Sequence, residues 1–228
     1  MADDNIKIIT TEDGSHSLYN KILNETYHSF HGAIQESKHV FIKSGLDYLL
    51  EKGKTEINVF EVGFGTGLNA LLTAEWAEKN EIYISYDSIE AFPVSKEYTS
   101  QLNYTSVIKG ENIQSWFDSL HDIPWDEQHK INNFFSFKKI NGLMKEYPLP
   151  RDKYDVIFFD AFAPNKQPEM WELDILSKIY QSMMPGGAFV TYCAQGQLKR
   201  NLKSLNMEVE TLTGPPGKKE MVRAIKID

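Results

Sequence analysis

The chain has 228 residues, 41% of them hydrophobic, which is enough to bury a core without disulfide or metal staples. Its single cysteine, Cys193, excludes an internal disulfide framework and a cysteine-based metal site; it reads as a small buried residue closing a strand, in the reducing cytoplasm. No apolar run reaches the length of a membrane span, Asp3 and Asp4 stand where a signal peptide would be basic, and the formal charge of -8 opposes nonspecific nucleic-acid binding.

In chain order, Ile6 to Thr11 and Leu18 to Tyr19 flank Glu12-Asp13-Gly14-Ser15, and Asp-Gly between short apolar runs predicts a turn and a hairpin. The polar and aromatic stretch Tyr27 to Ala33 follows, then a helix through Val40, Phe41, Leu46, Leu49 and Leu50. His28 and His31 lack a third metal ligand in sequence and read as solvent or substrate contacts. Residues 1–50 therefore form an N-terminal hairpin and helix, and residues 56–228 the core, within one domain spanning 1–228.

Val59, Phe60 and Val62 read as a buried strand, Gly63, Gly65 and Gly67 follow at once, and an apolar helical pattern begins at Leu68. A strand, a glycine turn and a helix make a nucleotide cradle, because the turn needs conformations closed to other residues and the helix N-terminus faces the ligand. Glu61, an acid inside the apolar strand end, suits the amino group of S-adenosylmethionine and would repel a phosphate. The next strand, Ile82 to Ile89, ends in Glu90, placed to grip a ribose diol or to stand as an ordinary exposed strand end. Pro93 to Lys130 reads as an insertion of short helices. Phe134 to Ile140 is a third strand ending at Asn141. Tyr154 to Phe159 is almost continuously apolar, as expected of a strand buried on both faces, and it delivers Asp160 to the sheet edge. Leu173 to Met184 is helical and stops at Pro185-Gly186-Gly187; Ala188 to Cys193 is a strand and Gln197 to Leu205 a helix. Met207 to Leu212 and Met221 to Ile227 form a closing antiparallel pair. The alternation makes a doubly wound α/β sheet. From Ala194 onward seven basic residues stand against four acids, so this end is locally basic.

The final hairpin and the Pro-Gly-Gly before the fifth strand give the shape of a class I S-adenosylmethionine-dependent methyltransferase, a Rossmann-like, mostly parallel sheet of seven strands. Val59 to Asn69, Glu90-Ala91-Phe92-Pro93, Asp160-Ala161-Phe162-Ala163-Pro164 with Pro168-Glu169-Met170-Trp171, and Gly217-Lys218-Lys219-Glu220-Met221 resemble the methyltransferase half of the bacterial tRNA 5-methylaminomethyl-2-thiouridine biosynthesis enzymes. Thr11 to Ser15 and Glu36 to Phe41 match that family too. Bifunctional members continue into an FAD-dependent oxidoreductase; with the sequence ending at Asp228 that half is expected to be absent, leaving the methylation step.

The resemblance implies methyl transfer from S-adenosylmethionine to the amine of 5-aminomethyl-(2-thio)uridine at the tRNA wobble position. It implies Asp160 as the group that orients the amine and Phe162 as the aromatic packed against the target, with Pro164 and Trp171 also on the substrate side. Glu61, Gly63, Gly65, Gly67 and Asn69 would hold the methionine part of the cofactor, with Asp160 beside it. Glu90 would hold the ribose. Asn141 replaces an aspartate usual near the adenine and keeps an acceptor for it. Lys199, Arg200, Lys218, Lys219 and Arg223 are candidates for the anticodon stem-loop phosphates or for a solvated basic face. No metal is expected. The alternatives are methylation of a small-molecule or protein amine, and a noncatalytic RNA-binding module.

Overall fold

Successive residues of a strand face opposite ways, so a strand covered on both sides must be apolar throughout. The run Tyr154–Phe159 is buried at every position: Val156 and Phe158 enter one core, and Ile157 and Phe159 the other. The computed structural model describes residues 5–227, so Asp3, Asp4 and Asp228 lie outside the described residues. A three-stranded antiparallel sheet, β1 (Ile6–Thr10), β2 (His16–Asn20) and β3 (Glu25–Thr26), opens the chain. A continuous helical stretch follows, with α1 (Ala33–Ser37), a π-helical part at Lys38–Asp47 and α2 (Tyr48–Glu51).

The main elements are β4 (Glu56–Val62), α3 (Leu68–Asn80), β5 (Tyr83–Glu90), the short helices α4 (Lys96–Thr99), α5 (Tyr104–Val107) and α6 (Ile113–Asp122), then β6 (His129–Asn132) and β7 (Phe135–Asn141). They continue as β8 (Tyr154–Phe159), α7 (Leu173–Ser182), β9 (Met183–Thr191), α8 (Gly196–Ser204), β10 (Met207–Thr213) and β11 (Glu220–Lys226). The sheet order is β10-β11-β9-β8-β4-β5-β7-β6. Pairing is parallel from β9 through β8, β4 and β5 to β7 and antiparallel at both edges. The order reverses between β4 and β8, which opens a crevice at their carboxyl ends.

Two expectations change. The sheet has eight strands, because the end of the insertion pairs with β7 as the edge strand β6 instead of remaining a loop. The helix before Pro185 ends at Ser182, and β9 starts at Met183 and runs through Pro185-Gly186-Gly187. Its register against β8 shifts between Tyr154 and Val156, so the three residues are taken up in an irregularity of the strand.

Candidate active site

The glycine turn is shaped by contacts that no side chain would fit. Gly63 has φ +93°, and a Cβ there would stand 2.9 Å from the Asp160 carbonyl oxygen. The turn is also pinned to the strand ends: the Gly63 N–H donates to the Ile89 carbonyl (2.9 Å) and the Asp160 N–H to the Val62 carbonyl (3.0 Å). The insertion braces the far side. Tyr104 donates its O–H to Thr66 Oγ1 (3.1 Å), and His121 Nε2 lies 3.2 Å from the Thr66 carbonyl. Burial lowers His121 to about 4, which leaves it neutral at physiological pH.

Behind the turn, three polar side chains form a chain. The Asn69 amide, on the first turn of α3, donates through Nδ2 to Glu61 Oε1 (3.0 Å) and to Asp160 Oδ2 (2.9 Å). Ser88 Oγ donates to the other oxygen of Glu61 (2.5 Å). Glu61 is fully buried; burial pushes its carboxyl up to about 8 against the opposing hydrogen bond from Ser88, and the nearby Asp160 adds to the rise. Burial and then the Glu36 charge push Asp160 up to about 7, opposed by the Asn69 bond and by Lys218. Asn69 Oδ1 is buried without a hydrogen-bond partner.

A cavity of about 660 Å³ runs along this edge. One end is walled by Gly63, Gly65, Asn69, Glu90 and Phe92, with Leu143 and Met144 beneath. Glu90 accepts the N–H groups of Gly65 and Phe92, both at 2.9 Å. The other end is walled by His28, Glu36, Tyr192 and Lys218, with Asp160 and Phe162 at the junction and Tyr27 against the glycine turn, where a Cβ at Gly65 would stand 3.2 Å from its Cδ1. Tyr27 and Phe162 meet edge to face at 5.1 Å. Such a space suits a ligand the size of a nucleoside with an aliphatic arm. The orphaned acceptor of Asn69, beside two carboxyls, fits an ammonium donor and not a phosphate, so the residues present fit S-adenosylmethionine.

The sequence-derived site residues separate into those at the cavity and those away from it. Gly63, Gly65, Asn69, Glu90, Asp160, Phe162 and Lys218 line it. Glu61 stands behind Asn69 with both oxygens engaged, so it reaches the cavity through that amide. Gly67 lies under Phe64 and His121 at the start of α3. Asn141 is exposed at the end of β7, and the wall is formed by Gly142 to Lys145 instead. Trp171 is buried against Phe159 and donates its indole N–H to the Phe162 carbonyl (2.8 Å), bracing the turn from behind, and Pro164 is likewise outside the lining.

Among the basic candidates, Lys199 pairs with Glu220 (2.8 Å), and Arg223 pairs with Glu210 while covering the Tyr48 ring. Arg200 and Lys219 are exposed. Tyr27, Glu36 and Tyr192 line the cavity without having been singled out individually in the sequence, whereas His28, read there as a solvent or substrate contact, lines it too. Two segments carried the signal, the polar aromatic stretch from Tyr27 and the Glu36 to Phe41 match. His31 pairs with exposed Glu12 (2.8 Å), whereas His28 is buried and held by Ser17 (3.1 Å). Among the described residues no helix is long and apolar enough to cross a membrane.

The comparisons agree with this chemistry. The chain is 30% identical over 213 residues to the tRNA 5-methylaminomethyl-2-thiouridine biosynthesis bifunctional protein MnmC of Idiomarina loihiensis, which covers 87% of this chain and 35% of that protein. The namesake from Campylobacter hominis is 27% identical, covering 91% of this chain and 31% of its own length. The chain thus spans about a third of the length of these relatives. The crystal structure of MNMC2 from Aquifex aeolicus superposes with a TM-score of 0.80 at 26% identity, covering 98% of this chain and 70% of that one. The family described as S-adenosyl-L-methionine-dependent methyltransferase matches residues 111–227, just over half of the sequence. By that match, and with a cavity fitted to the cofactor, the chain belongs to the S-adenosyl-L-methionine-dependent methyltransferases.

Proposed function

We propose that this chain N-methylates 5-aminomethyl-(2-thio)uridine at the wobble position of tRNA, giving the 5-methylaminomethyl base, as a single methyltransferase unit working in the cytoplasm. The observation that carries the reading is the Asp160 carboxyl at the junction of the cavity, held by Asn69 and facing an aromatic wall, in a chain whose relatives bear the name of this tRNA modification. S-adenosylmethionine, when bound, supplies an electrophilic methyl group on a sulfonium.

The chain's residues do the rest. Asn69, positioned by Glu61, accepts the cofactor's ammonium on its free Oδ1, the backbone of Gly63 and Gly65 lets the ligand approach closely, and Glu90 takes the ribose hydroxyls on lone pairs its two backbone bonds leave unused. Asp160 accepts a hydrogen bond from the substrate amine and takes the proton that nitrogen sheds as it is alkylated, for which a carboxyl near 7 is suited. Phe162 and Tyr27 exclude water from the reacting pair. Alignment and water exclusion supply up to about 7–11 kcal/mol in favourable cases. Arg200 and Lys219, exposed, are left to meet RNA phosphates.

Purified protein with labelled S-adenosylmethionine is expected to methylate tRNA that carries the aminomethyl base. Normal cofactor binding without product on such tRNA would remove the substrate assignment. The pairing of Lys199 and Arg223 with acids of the closing hairpin favours a second reading, methylation of a small-molecule amine, which transfer to free amines but not to RNA would support.

A further inference from the structure

Glu36 is a buried carboxylate that the mechanism above leaves unused. It sits on α1 with 8% of its side chain exposed, far in sequence from the glycine turn, yet it lines the same cavity as Asp160. Its Oε1 accepts the Ser29 N–H (2.8 Å), and its Oε2 is held by the Lys218 ammonium. Lys218 comes from the loop between β10 and β11, 32% exposed, with its Nζ 3.9 Å from the centroid of the Tyr192 ring. The Tyr192 O–H in turn donates to the Ala161 carbonyl (2.8 Å), fixing that ring to the Asp160 turn.

The loop is fastened at two points before Lys218. His39 Nε2 lies 2.8 Å from the Thr213 carbonyl, and Gly217 passes so close to His31 that a Cβ would stand 1.9 Å from its Cδ2. A carboxylate and an aromatic face at one point make a cation site. In this chain a lysine fills it.

The geometry points to Glu36 as the residue that receives the substrate's ammonium at the far end of the cavity from the glycine turn, in exchange for Lys218, which swings outward to a phosphate of the same substrate. The inference rests on the amine-methylation reading and adds a second carboxylate to it. A partner exchange is favoured because a buried ion stripped of its counter-ion is costly, whereas a swap gives Glu36 and Lys218 each a new counter-ion as it leaves the old one. It also gives selectivity. A uridine without the amine offers Glu36 nothing in place of Lys218, and an amine without a phosphate leaves Lys218 to water. From Glu36 the ammonium passes to Asp160, whose carboxylate takes the one proton the nitrogen must give up to attack the methyl donor, and the product leaves as the methylammonium.

The test compares kinetics on two substrates, aminomethyl-tRNA and the free nucleoside 5-aminomethyluridine, for Glu36→Gln, Lys218→Met and the charge-balanced double variant. Glu36→Gln is expected to raise KM for both substrates by about 10- to 100-fold, the worth of one charge-assisted hydrogen bond, with cofactor binding unchanged. Lys218→Met is expected to raise KM for tRNA while leaving the nucleoside's KM equal or lower. The acid limb of kcat/KM gives a second readout. The titratable groups around Asp160 are Glu61 and Tyr86 in the sheet, Glu36 and His28 from the N-terminal segment, Tyr192 at the end of β9 and Lys218 from the loop. Removing the negative neighbour moves the limb to lower pH, and removing the positive one moves it to higher pH.

Unchanged KM for Glu36→Gln, with the protein folded by thermal melting, overturns the exchange. Equal losses on both substrates for Lys218→Met, or limbs that shift in the same direction, do so as well. If Glu36→Gln melts early, the double variant decides: it must still show the raised nucleoside KM. Absence of transfer to either substrate by the wild-type protein is a different outcome and defeats the amine reading itself.

Discussion

The two ends of the cavity are built by different means. The glycine-turn end is local: β4, its turn and α3 are contiguous from Glu56 to Asn80, and one more strand end supplies Glu90. The far end is assembled from remote pieces, with His28 to Glu36 from the N-terminal segment, Asp160 and Phe162 from the end of β8, Tyr192 from just after β9 and Lys218 from the last hairpin. The first is held by backbone bonds between neighbouring strands, and the second by side chains such as the Glu36–Lys218 pair and the Tyr192 hydroxyl on the Ala161 carbonyl. A local turn can serve one cofactor in many proteins, while a wall drawn from several segments can change with the substrate. Asp160 belongs to both ends, bonded to Asn69 on one side and open to the amine on the other.

That junction gives the largest expected effect. Asp160→Asn keeps the size of the side chain and removes the proton acceptor, so methyl transfer should fall by about 10²–10⁴-fold. Cofactor affinity should fall far less, because Asn69 and Glu90 remain. Single-turnover rates beside calorimetric titration of the cofactor separate the two. A parallel collapse of cofactor binding would show that Asp160 serves the glycine-turn end alone.

The same division explains what could be read from the sequence. The strand, glycines and helix from Asn58 to Asn69 announce their geometry because backbone conformation and periodicity are local properties. The apolar run before Asp160 likewise announced a central strand. Glu36 and Tyr27 gave no such signal, since their role depends on a helix and a hairpin folding back over the crevice, a contact that no spacing encodes. Trp171 and Asn141 show the opposite failure. Both sit next to wall-forming residues in sequence, yet Trp171 is turned inward against Phe159, and Asn141 is carried past the wall by the end of its strand.

Two glycine substitutions sharpen the contrast. Gly63→Ala forces a positive-φ position and drives a Cβ against the Asp160 backbone, which cannot yield without moving β8. A stability loss of about 1–3 kcal/mol and weakened cofactor binding are expected together, read by chemical denaturation and calorimetry. Gly217→Ala also meets a positive φ, but the obstructing His31 is an exposed side chain that can turn aside. Its cost should be smaller and confined to the amine KM, with cofactor affinity intact. If both substitutions weakened the cofactor equally, the ends would not be independent.

The smallest expected effect is in the pH dependence of the ligand-free protein. Glu61 and Asp160 have folded values of about 8 and 7, raised from 4.5 and 3.8, so the folded state keeps protons that the unfolded chain releases. Their contribution is complete below the unfolded values and is lost as pH rises to 7 and 8. His28 and His121 are lowered from 6.5 to about 4, so their contribution is present above 6.5 and lost toward 4. Between about 4.5 and 6.5 the two pairs oppose each other, and the melting temperature should be nearly level. Above 6.5 only the carboxyls still titrate, and the melting temperature should fall by roughly a few degrees up to pH 8. Glu61→Gln should flatten that fall, because it removes the group with the higher folded value. S-adenosylmethionine should raise the melting temperature more at pH 8 than at pH 6, since ionised carboxyls are the form that welcomes its ammonium. A decline that survives Glu61→Gln unchanged, measured by scanning calorimetry, would place the titrating group outside the Glu61–Asn69–Asp160 chain that joins the two ends.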